Sequence, residues 1–307
     1  MKRYIQLNHL LGRTLFLLLA GSMANADSVF FELDFNAGYN NNVFLESDDL
    51  IVNEAQANAS KTDVQRQLAV TGNWEFWDKE SSDGAIMLDY FNETLTDNDA
   101  STRVLTLSIP VHIYDGDYRY GATLTRQAYQ LSGVDVLDYT IAKLSMAKHV
   151  AGGKMYFDYS HTEKTPQDDS YLDYEGSTNS AGLKYKHEMN RGYLALHGNV
   201  FRNEYQADDL SNRGAYIKAT YLLRFGQYKM SVAAKLKATG YKKDSLTDDE
   251  RSDQQASVAL SNEYSMSSKV QLYIESSYIN NASNIQYEDE NHNYEQWVNS
   301  LGARFTF

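Results

Sequence analysis

Basic side chains recur at even spacings in the segments between residues 177 and 241. The set is Lys184, Lys186, Lys218, Arg224, Lys229, Lys235 and Lys237. In an extended chain, residues two apart lie on the same face, so each segment presents its cations on one side. Cations that line one side of a water-filled passage select solutes by charge. We expect these seven residues to form a basic wall that faces a polar interior.

Acidic side chains occupy equivalent positions in the first three segments. They are Glu32, Asp34, Glu75, Asp89 and Glu93. If the segments form a closed sheet, this acidic wall lies across the interior from the basic wall, and the two walls create a transverse field. The alternative is that the charges pair with inward neighbours and fill the interior as a polar core, because barrels of eight strands are filled whereas those of sixteen are open.

The titratable residues do not form a recognisable catalytic or metal-binding pattern. The chain has no Cys and seven His, and none of the His residues stands in an H-x-H or H-E-x-x-H arrangement. A Ser–His–acid set cannot be placed from the sequence. Acidic stretches such as 248–250 lack the D-x-D-x-D-G spacing of a calcium loop. The sequence therefore predicts a protein that is not an enzyme, with no catalytic residue, no metal and no cofactor.

The elements that carry these residues are predicted by an alternation of apolar and polar side chains. Leu105, Leu107 and Ile109 share one face, for example, whereas Thr106 and Ser108 share the other. This pattern is typical of strands with one apolar and one polar face. Such segments are predicted at 29–39, 64–77, 84–95, 102–114, 118–130, 139–150, 154–163, 177–188, 192–205, 214–225, 228–241, 254–265, 269–280 and 294–307.

The connections between these segments alternate in length. Short turns such as 115–117 and 226–227 follow even-numbered segments, and longer acidic stretches such as 164–176 and 242–253 follow odd-numbered ones. We predict an all-β, closed, antiparallel transmembrane barrel of about 14 strands, with short periplasmic turns and long extracellular loops. A secreted β-sandwich is the alternative, but the segments are longer than the strands that such domains use.

The N-terminal segment has the three parts of a secretory signal. Three basic residues precede a short apolar run, and an Ala-x-Ala cleavage site ends at Ala26. We predict a cleaved signal peptide at 1–26 and a single barrel domain at 27–307, a mature chain of 307 − 26 = 281 residues. Loss of the three cations takes the net charge from −13 to −16, which argues against nucleic-acid binding. The expected location is the outer membrane.

The C-terminus resembles the assembly signal of outer-membrane barrel proteins. A polar residue and a glycine precede alternating apolar residues that close on Phe, and the matching positions are Ser300, Gly302, Phe305 and Phe307. The resemblance implies that the barrel-assembly machinery is a partner during insertion. Outer-membrane lipid and lipopolysaccharide are the other partners that we expect, and a monomer is favoured.

Both ends of the predicted barrel resemble one known family. Residues 31–44, with Gly38-Tyr39 followed by asparagines and a valine, are similar to the first strand of the barrel in surface lipoprotein assembly modifiers, and residues 294–307 are similar to its last strand. The resemblance implies a 14-stranded barrel without the helical-repeat domain that precedes the barrel in that family. In size and strand number the chain is also similar to monomeric porins that pass oligosaccharides.

Three functions fit these features. The first is a porin-like channel for passive passage of small polar or charged solutes, saccharides among them. The second is an export or assembly factor for a surface lipoprotein or polysaccharide. The third is a structural or adhesive barrel that acts through its acidic loops. A constriction of the lumen would have to come from a loop that folds inward, and 40–63 is the longest candidate.

Overall fold

The structure is one closed antiparallel β-barrel. The computed structural model describes residues 29–41, 63–96, 100–242, 250–284 and 293–307. Its strands are β1 (Val29–Asn40), β2 (Asp63–Lys79), β3 (Ser82–Leu95), β4 (Ala100–Asp115), β5 (Tyr118–Leu131), β6 (Val134–Val150), β7 (Gly153–Pro166), β8 (Gly176–Met189), β9 (Gly192–Tyr205), β10 (Asn212–Phe225), β11 (Tyr228–Tyr241), β12 (Ser252–Ser265), β13 (Val270–Ser283) and β14 (Tyr294–Thr306). Each strand pairs with its sequence neighbours. The predicted fold class is confirmed.

The barrel closes by pairing its first strand with its last. β1 runs antiparallel to β14 over nine residue pairs, beginning with Glu32 opposite Thr306. Beyond these pairs, the backbone N–H of Phe307 donates to the carbonyl of Phe31 at 2.9 Å. An open edge would leave backbone groups without partners in hydrocarbon, so closure is what allows a sheet to sit in a bilayer.

The two faces of the sheet differ in polarity, as the alternation predicts. On β11, Leu236 is 63% exposed and lies on the outer face, and its neighbours Lys235 and Lys237 lie on the other face. Tyr273 identifies the inner face, because its hydroxyl donates to Asp34 two strands away and side chains converge only on the concave side. An apolar outer face around a polar inner face is the arrangement of a barrel surrounded by lipid.

The two ends of the barrel carry different connections. At one end, which we call the turn end, each even-numbered strand is joined to the next by two to four residues. Gly116 and Gly226 lie in two of these turns with φ of 57° and 58°, the left-handed region that glycine adopts without strain. The opposite end, which we call the loop end, carries the connections that follow odd-numbered strands.

One loop-end connection is much shorter than predicted. The sixth strand was expected at 139–150 and begins instead at Val134, so only Ser132 and Gly133 join β5 to β6. Both residues have positive φ, 47° and 84°, as in the two-residue turns that match the twist of a hairpin. The prediction was wrong here because the Ser-Gly turn signal was read as part of a longer polar loop.

Among the described residues, helical structure is limited to a 3₁₀ helix at Asp169–Tyr174, in the connection between β7 and β8. No helix in these ranges has the length and apolar character needed to cross a membrane. The predicted signal peptide at 1–26 lies outside the described residues, and so does most of the 40–63 loop that we expected to be able to fold inward. Both stay predictions.

Candidate functional site: the inner wall

All seven residues of the predicted basic wall lie on the inner face. The cross-strand register places four inward cationic or ionisable side chains directly opposite one another on consecutive strands: Lys184 on β8, His197 on β9, Lys218 on β10 and Lys235 on β11. We call these four residues the cation row. Residues directly opposite on one face have Cβ atoms about 5 Å apart, and like charges in such pairs destabilise a sheet. Lys218 and Lys235 form such a pair, whereas His197 separates Lys184 from Lys218, so the cost of opposed like charges falls on Lys218 and Lys235.

One acidic residue, Asp158 on β7, faces inward beside the cation row, because it and Nε2 of His197 both lie close to Gly182 of β8. In the described part of the chain, neither Lys184 nor Lys218 has a carboxylate within ion-pair distance. Between them, Nε2 of His197 is buried and has no hydrogen-bond partner. Buried polar atoms in folded proteins are nearly always paired with protein groups or water. The row thus offers cationic groups and one unsatisfied ring nitrogen to whatever occupies the lumen.

Aromatic rings from neighbouring strands support the lysines. The Nζ atom of Lys184 lies 5.4 Å from the ring centre of Tyr156, and that of Lys235 lies 5.0 Å from the ring centre of Tyr216. Lys186 and Lys237 make the same kind of contact with Tyr193 and Phe201, at 4.6 and 5.5 Å. A cation over a ring face is held by the quadrupole of the ring. These rings therefore keep the lysine side chains along the wall.

The basic wall is partly neutralised toward the turn end. Lys229 donates to both carboxylate oxygens of Glu263, at 2.8 and 2.9 Å, and Lys186 lies 3.6 Å from Glu188. Arg224 lies directly opposite Lys229. The pairing of Lys229 and Lys186 makes mid-height, where the cation row lies, the most positive part of the wall.

The basic wall is wider than the sequence analysis proposed. Lys143 on β6 and Lys154 and Lys164 on β7 also face inward, as their pairings with inward residues of neighbouring strands show. The alternation of inward and outward residues also identifies them. Counted in steps of two from the inward pair Tyr139 and Lys164, Lys143 of β6 and Lys154 of β7 fall on the inner face. They were missed because the sequence analysis confined the wall to the segments after residue 177.

The five residues of the predicted acidic wall also lie on the inner face, and their environments differ. Arg304 on β14 approaches Glu32 at 3.1 Å and Asp34 at 3.0 Å, across the seam where the barrel closes. Gln67 donates to Glu93 at 2.6 Å. The two others, Glu75 and Asp89, have no ion pair with a described residue. Two of the five carboxylates are thus compensated by a guanidinium.

Short side chains line the sectors between the two walls. On β4 and β5 the inward residues at mid-height include Ser108 and Thr125, whose hydroxyls are 2.9 Å apart. On β12 and β13 they include Ala259 opposite Ser277. Small inward side chains leave space at the centre of a barrel. The inner surface is therefore divided into a basic wall, an acidic wall and two sectors of small residues.

A cluster at the loop end narrows one side of the mouth. Tyr171 of the 3₁₀ helix is 7% exposed and packs with Val136 and Leu137 of the β5–β6 hairpin, and the partly buried residues against them are Tyr129, Leu131, Tyr139 and Tyr174. We call this group the mouth cluster. The register places Tyr129 and Leu137 on the inner face, so the helix lies over the lumen side of the hairpin. Within the described ranges, the connection between β7 and β8 is thus folded over the lumen, and the expectation for 40–63 lies outside those ranges.

Local contacts hold the 3₁₀ helix in place. The Asp168 carboxylate caps the helix by accepting a hydrogen bond from the backbone N–H of Ser170 at 2.9 Å, and this bond lowers the pKa of Asp168. Burial in the mouth cluster raises the pKa of the Tyr174 phenol, whose ring meets that of Tyr205 edge to face at 6.4 Å. Both groups favour the docked helix at neutral pH.

The histidines form no complete catalytic set in the described ranges. Nδ1 of His112 is 2.7 Å from Asp83 and its Nε2 is 3.4 Å from Arg119, so the ring faces a carboxylate and a guanidinium and no hydroxyl nucleophile. His161 faces outward and contacts Asn179 at 3.0 Å. In the same ranges, no three His, Asp or Glu side chains are grouped to hold a metal ion. The expectation of a non-enzymatic protein stays a prediction.

The residues of the predicted C-terminal assembly signal lie at the closing seam. Ser300 accepts a hydrogen bond from Asn36 at 3.2 Å, and Gly302 lies beneath the ring of Tyr273. On the outer face, the ring of Phe305 meets that of Phe35 at 6.4 Å. Phe307 is 68% exposed. A structural role in closure therefore accounts for three of the four positions, and their role as an assembly signal stays a prediction.

Solved structures of outer-membrane barrels are similar to this chain. OmpT, an outer membrane protein of Vibrio cholerae, aligns with a TM-score of 0.55 at 8% identity, over 92% of this chain and 99% of that one. The anion-selective porin from Comamonas acidovorans aligns with a TM-score of 0.52 at 10% identity, over 91% and 99%. A third, the CymD monoaromatic hydrocarbon channel, gives 0.51 at 11% identity, over 95% and 92%. At these identities the likeness shows the fold alone.

Sequence comparisons add no family to this result. No protein-family model matches the chain, and no curated protein matches it at a significant level. The resemblance of the two ends to surface lipoprotein assembly modifiers gains no support from the structural neighbours and stays a prediction.

Proposed function

We propose that this protein is a porin-like channel of a bacterial outer membrane, through which small polar solutes pass passively and anions pass preferentially. The observation that carries the proposal is the cation row, Lys184–His197–Lys218–Lys235, on the inner face of four consecutive strands. The cost of placing like charges side by side is understandable if a mobile anion lies against them for part of the time. The outer-membrane barrel fold and its apolar outer face support the location.

The charges across the lumen strengthen the preference for anions. Arg304 compensates Glu32 and Asp34 on the acidic wall, whereas Lys184 and Lys218 have no carboxylate partner among the described residues. At physiological ionic strength fixed charges act over about 8 Å. An anion at mid-height therefore interacts with the lysines of the row, and Asp158 on β7 and Asp89 on β3 are inward carboxylates that oppose this attraction. Sugar acids and other small carboxylates fit this charge pattern, as do inorganic anions.

The orientation of the channel follows from its two ends. In barrels of this class the short turns face the periplasm and the longer connections face outward. The turn end is then periplasmic and the mouth cluster lies at the outer opening. Solutes from outside would pass the aromatic side chains of the mouth cluster before they reach the cation row.

The test is a reversal-potential measurement on the purified protein in planar bilayers. We expect stepwise channel insertions and a chloride-to-potassium permeability ratio above 1 in a KCl gradient, falling as the salt concentration rises because salt screens the row. Liposome swelling should be faster in glucuronate than in glucose, which are similar in size. A folded barrel that inserts without conductance would overturn the proposal, and so would a ratio below 1.

The mouth cluster gives a separate prediction on conductance. Tyr171→Ser removes the buried ring that docks the 3₁₀ helix, at a cost of about 3 kcal/mol, which is enough to free a short loop. We expect the single-channel conductance to rise while ion selectivity changes little, because the cation row lies below the mouth. Leu172→Ser is the matched control, since Leu172 is 46% exposed on the same helix. Equal conductance in the two variants would contradict an inward-docked loop.

A further inference from the structure

A groove on the outer face crosses the closing seam of the barrel. It has a volume of about 660 Å³ and its lining is predominantly apolar. The outward side chains along it are Phe35, Ala37, Arg66, Leu68, Asn92, Thr94, Leu272, Leu301 and Ala303. We call this the seam groove. It lies on β13, β14, β1, β2 and β3, on the opposite surface of the sheet from the acidic wall.

Small residues among large ones create the groove. Ala37 lies directly opposite Leu301, and Ala303 lies opposite both Phe35 and Leu272. A small side chain on each of two adjacent strands leaves a trough whose sides are the large apolar residues. An apolar trough on a surface that faces hydrocarbon has the shape and polarity of an acyl chain.

The loop end of the seam groove is cationic. Arg66 and Arg103 both face outward there, and they flank Asn92, which accepts a hydrogen bond from Nε of Arg103 at 3.3 Å. Both arginines are exposed, and neither has a carboxylate partner among the described residues. An arginine on the lipid face destabilises a barrel strongly at the bilayer centre and very little near the interface. The pair therefore marks the level of the lipid headgroups.

The positions of the other outward arginines also indicate that the lipid headgroups lie near the loop end. In the described ranges the outward-facing arginines of the strands lie toward the loop end: Arg66, Arg103, Arg126, Arg202 and Arg213. Arg126 pairs with Asp138 at 2.5 Å and Arg202 pairs with Glu204. Arg66, Arg103 and Arg213 have no ion pair with a described residue, and of these three Arg66 and Arg103 lie at the seam groove. Guanidinium groups bind phosphate through paired, charge-assisted hydrogen bonds.

We propose that the seam groove binds a phosphate-bearing, acylated lipid of the outer leaflet. One acyl chain lies in the apolar trough, and a headgroup phosphate lies between Arg66 and Arg103. The proposal rests on the outer-membrane location proposed above but not on channel activity. It commits to a lipid that has both a phosphate and an acyl chain, because the groove and the cationic end are continuous.

Native mass spectrometry of the detergent-purified full chain tests the proposal, with lipid A, dephosphorylated lipid A and phosphatidylethanolamine as probes. We expect lipid A and phosphatidylethanolamine, which both carry a phosphate and acyl chains, to be retained, and dephosphorylated lipid A to be lost. Arg66→Gln with Arg103→Gln should weaken the binding of lipid A by about tenfold or more, as the loss of charge-assisted hydrogen bonds implies. Arg191→Gln, which removes an arginine from a turn at the other end of the barrel, should leave binding unchanged. Equal binding of dephosphorylated lipid A, or unchanged binding by the double variant, would overturn the proposal.

A second pair of variants tests the trough. Ala37→Leu fills the seam groove and should weaken lipid A binding several-fold, whereas Ala219→Leu, on an outward position outside the groove, should not. Competition by inorganic phosphate at millimolar concentration would show a simple anion site and overturn the lipid assignment. Channel conductance of the arginine double variant is measured in parallel, so failure of lipid binding with normal conductance is distinguishable from failure of the proposed channel.

Discussion

Replacement of Lys184, Lys218 and Lys235 with glutamine is expected to remove most of the anion preference of the channel. Each of these lysines lies on the inner face at the same level of the barrel. A unit charge about 5–6 Å from a permeating ion in water changes its energy by about 0.7 kcal/mol, or roughly threefold in local concentration. Three lysines together then account for about an order of magnitude at low salt, and less when salt screens them.

The measurement is the reversal potential of the triple variant in a KCl gradient, beside a control with the same change in net charge. Lys148, Lys242 and Lys269 are suitable for the control, because they lie on the outer face, in a loop-end connection and in a turn, respectively. We expect the permeability ratio of the control to match that of the unmodified protein. An equal shift of the permeability ratio in the row variant and in the control variant would mean that selectivity reflects the total charge of the protein and not the cation row.

The row variant also has an expected effect on stability. Removal of the opposed charges of Lys218 and Lys235 stabilises the sheet, whereas loss of the cation–π contacts of Lys184 and Lys235 destabilises it. The two effects oppose each other, so the triple glutamine variant should unfold at close to the same urea concentration as the unmodified protein. Replacement of the same three lysines with arginine keeps the charge and should keep the selectivity. A glutamine variant that unfolds more easily would indicate that the row stabilises the barrel through contacts other than charge.

The sequence was sufficient to predict the barrel and the faces of its strands. Period-2 alternation assigns every residue of a strand to one face, so the inward positions of Lys184, Lys218 and Lys235 follow once the strands are recognised. Alternation does not assign the level of a residue along the barrel axis. The two-residue turn predicted at 226–227 sets Lys235 opposite Lys218, but the position of His197 opposite Lys218 depends on the register across the loop-end connection at 206–211, which alternation does not set. The cation row could therefore not be derived from the sequence alone.

The mouth cluster was missed for a related reason. Residues 164–176 were interpreted as an acidic loop, and the burial of Tyr171 depends on the height of the β5–β6 hairpin beside it. The β5–β6 hairpin continues as paired strand to its tip at the loop end, because Ser132 and Gly133 make a two-residue turn and β6 begins at Val134. Side-chain packing between a loop and a distant hairpin leaves no periodic signal in either segment.

Gly302→Ala is expected to destabilise the barrel at its closing seam. A Cβ atom at this position would clash with Cζ and the hydroxyl of Tyr273 and lie 2.7 Å from the backbone carbonyl oxygen of Phe35, so the ring must move. The Tyr273 hydroxyl donates to Asp34 and accepts from Asn36 at 3.3 Å, and both bonds are lost when the ring moves. Overpacking and the lost hydrogen bonds together cost about 2–4 kcal/mol of unfolding free energy.

Urea unfolding followed by tryptophan fluorescence measures this effect, and Gly198→Ala is the matched control. Gly198 also lies in a strand, and a Cβ atom there would meet nothing within 4 Å, so its unfolding midpoint should be unchanged or slightly raised. Tyr273→Ser combined with Gly302→Ala should cost clearly less than the sum of the two single changes, since the clash with the ring is then absent and only the contact with the Phe35 carbonyl remains. If the losses of unfolding free energy of the two single variants add fully in the double variant, Gly302 does not act through Tyr273. The glycine is then needed for the approach of the β1 backbone, where the Phe35 carbonyl is the remaining contact.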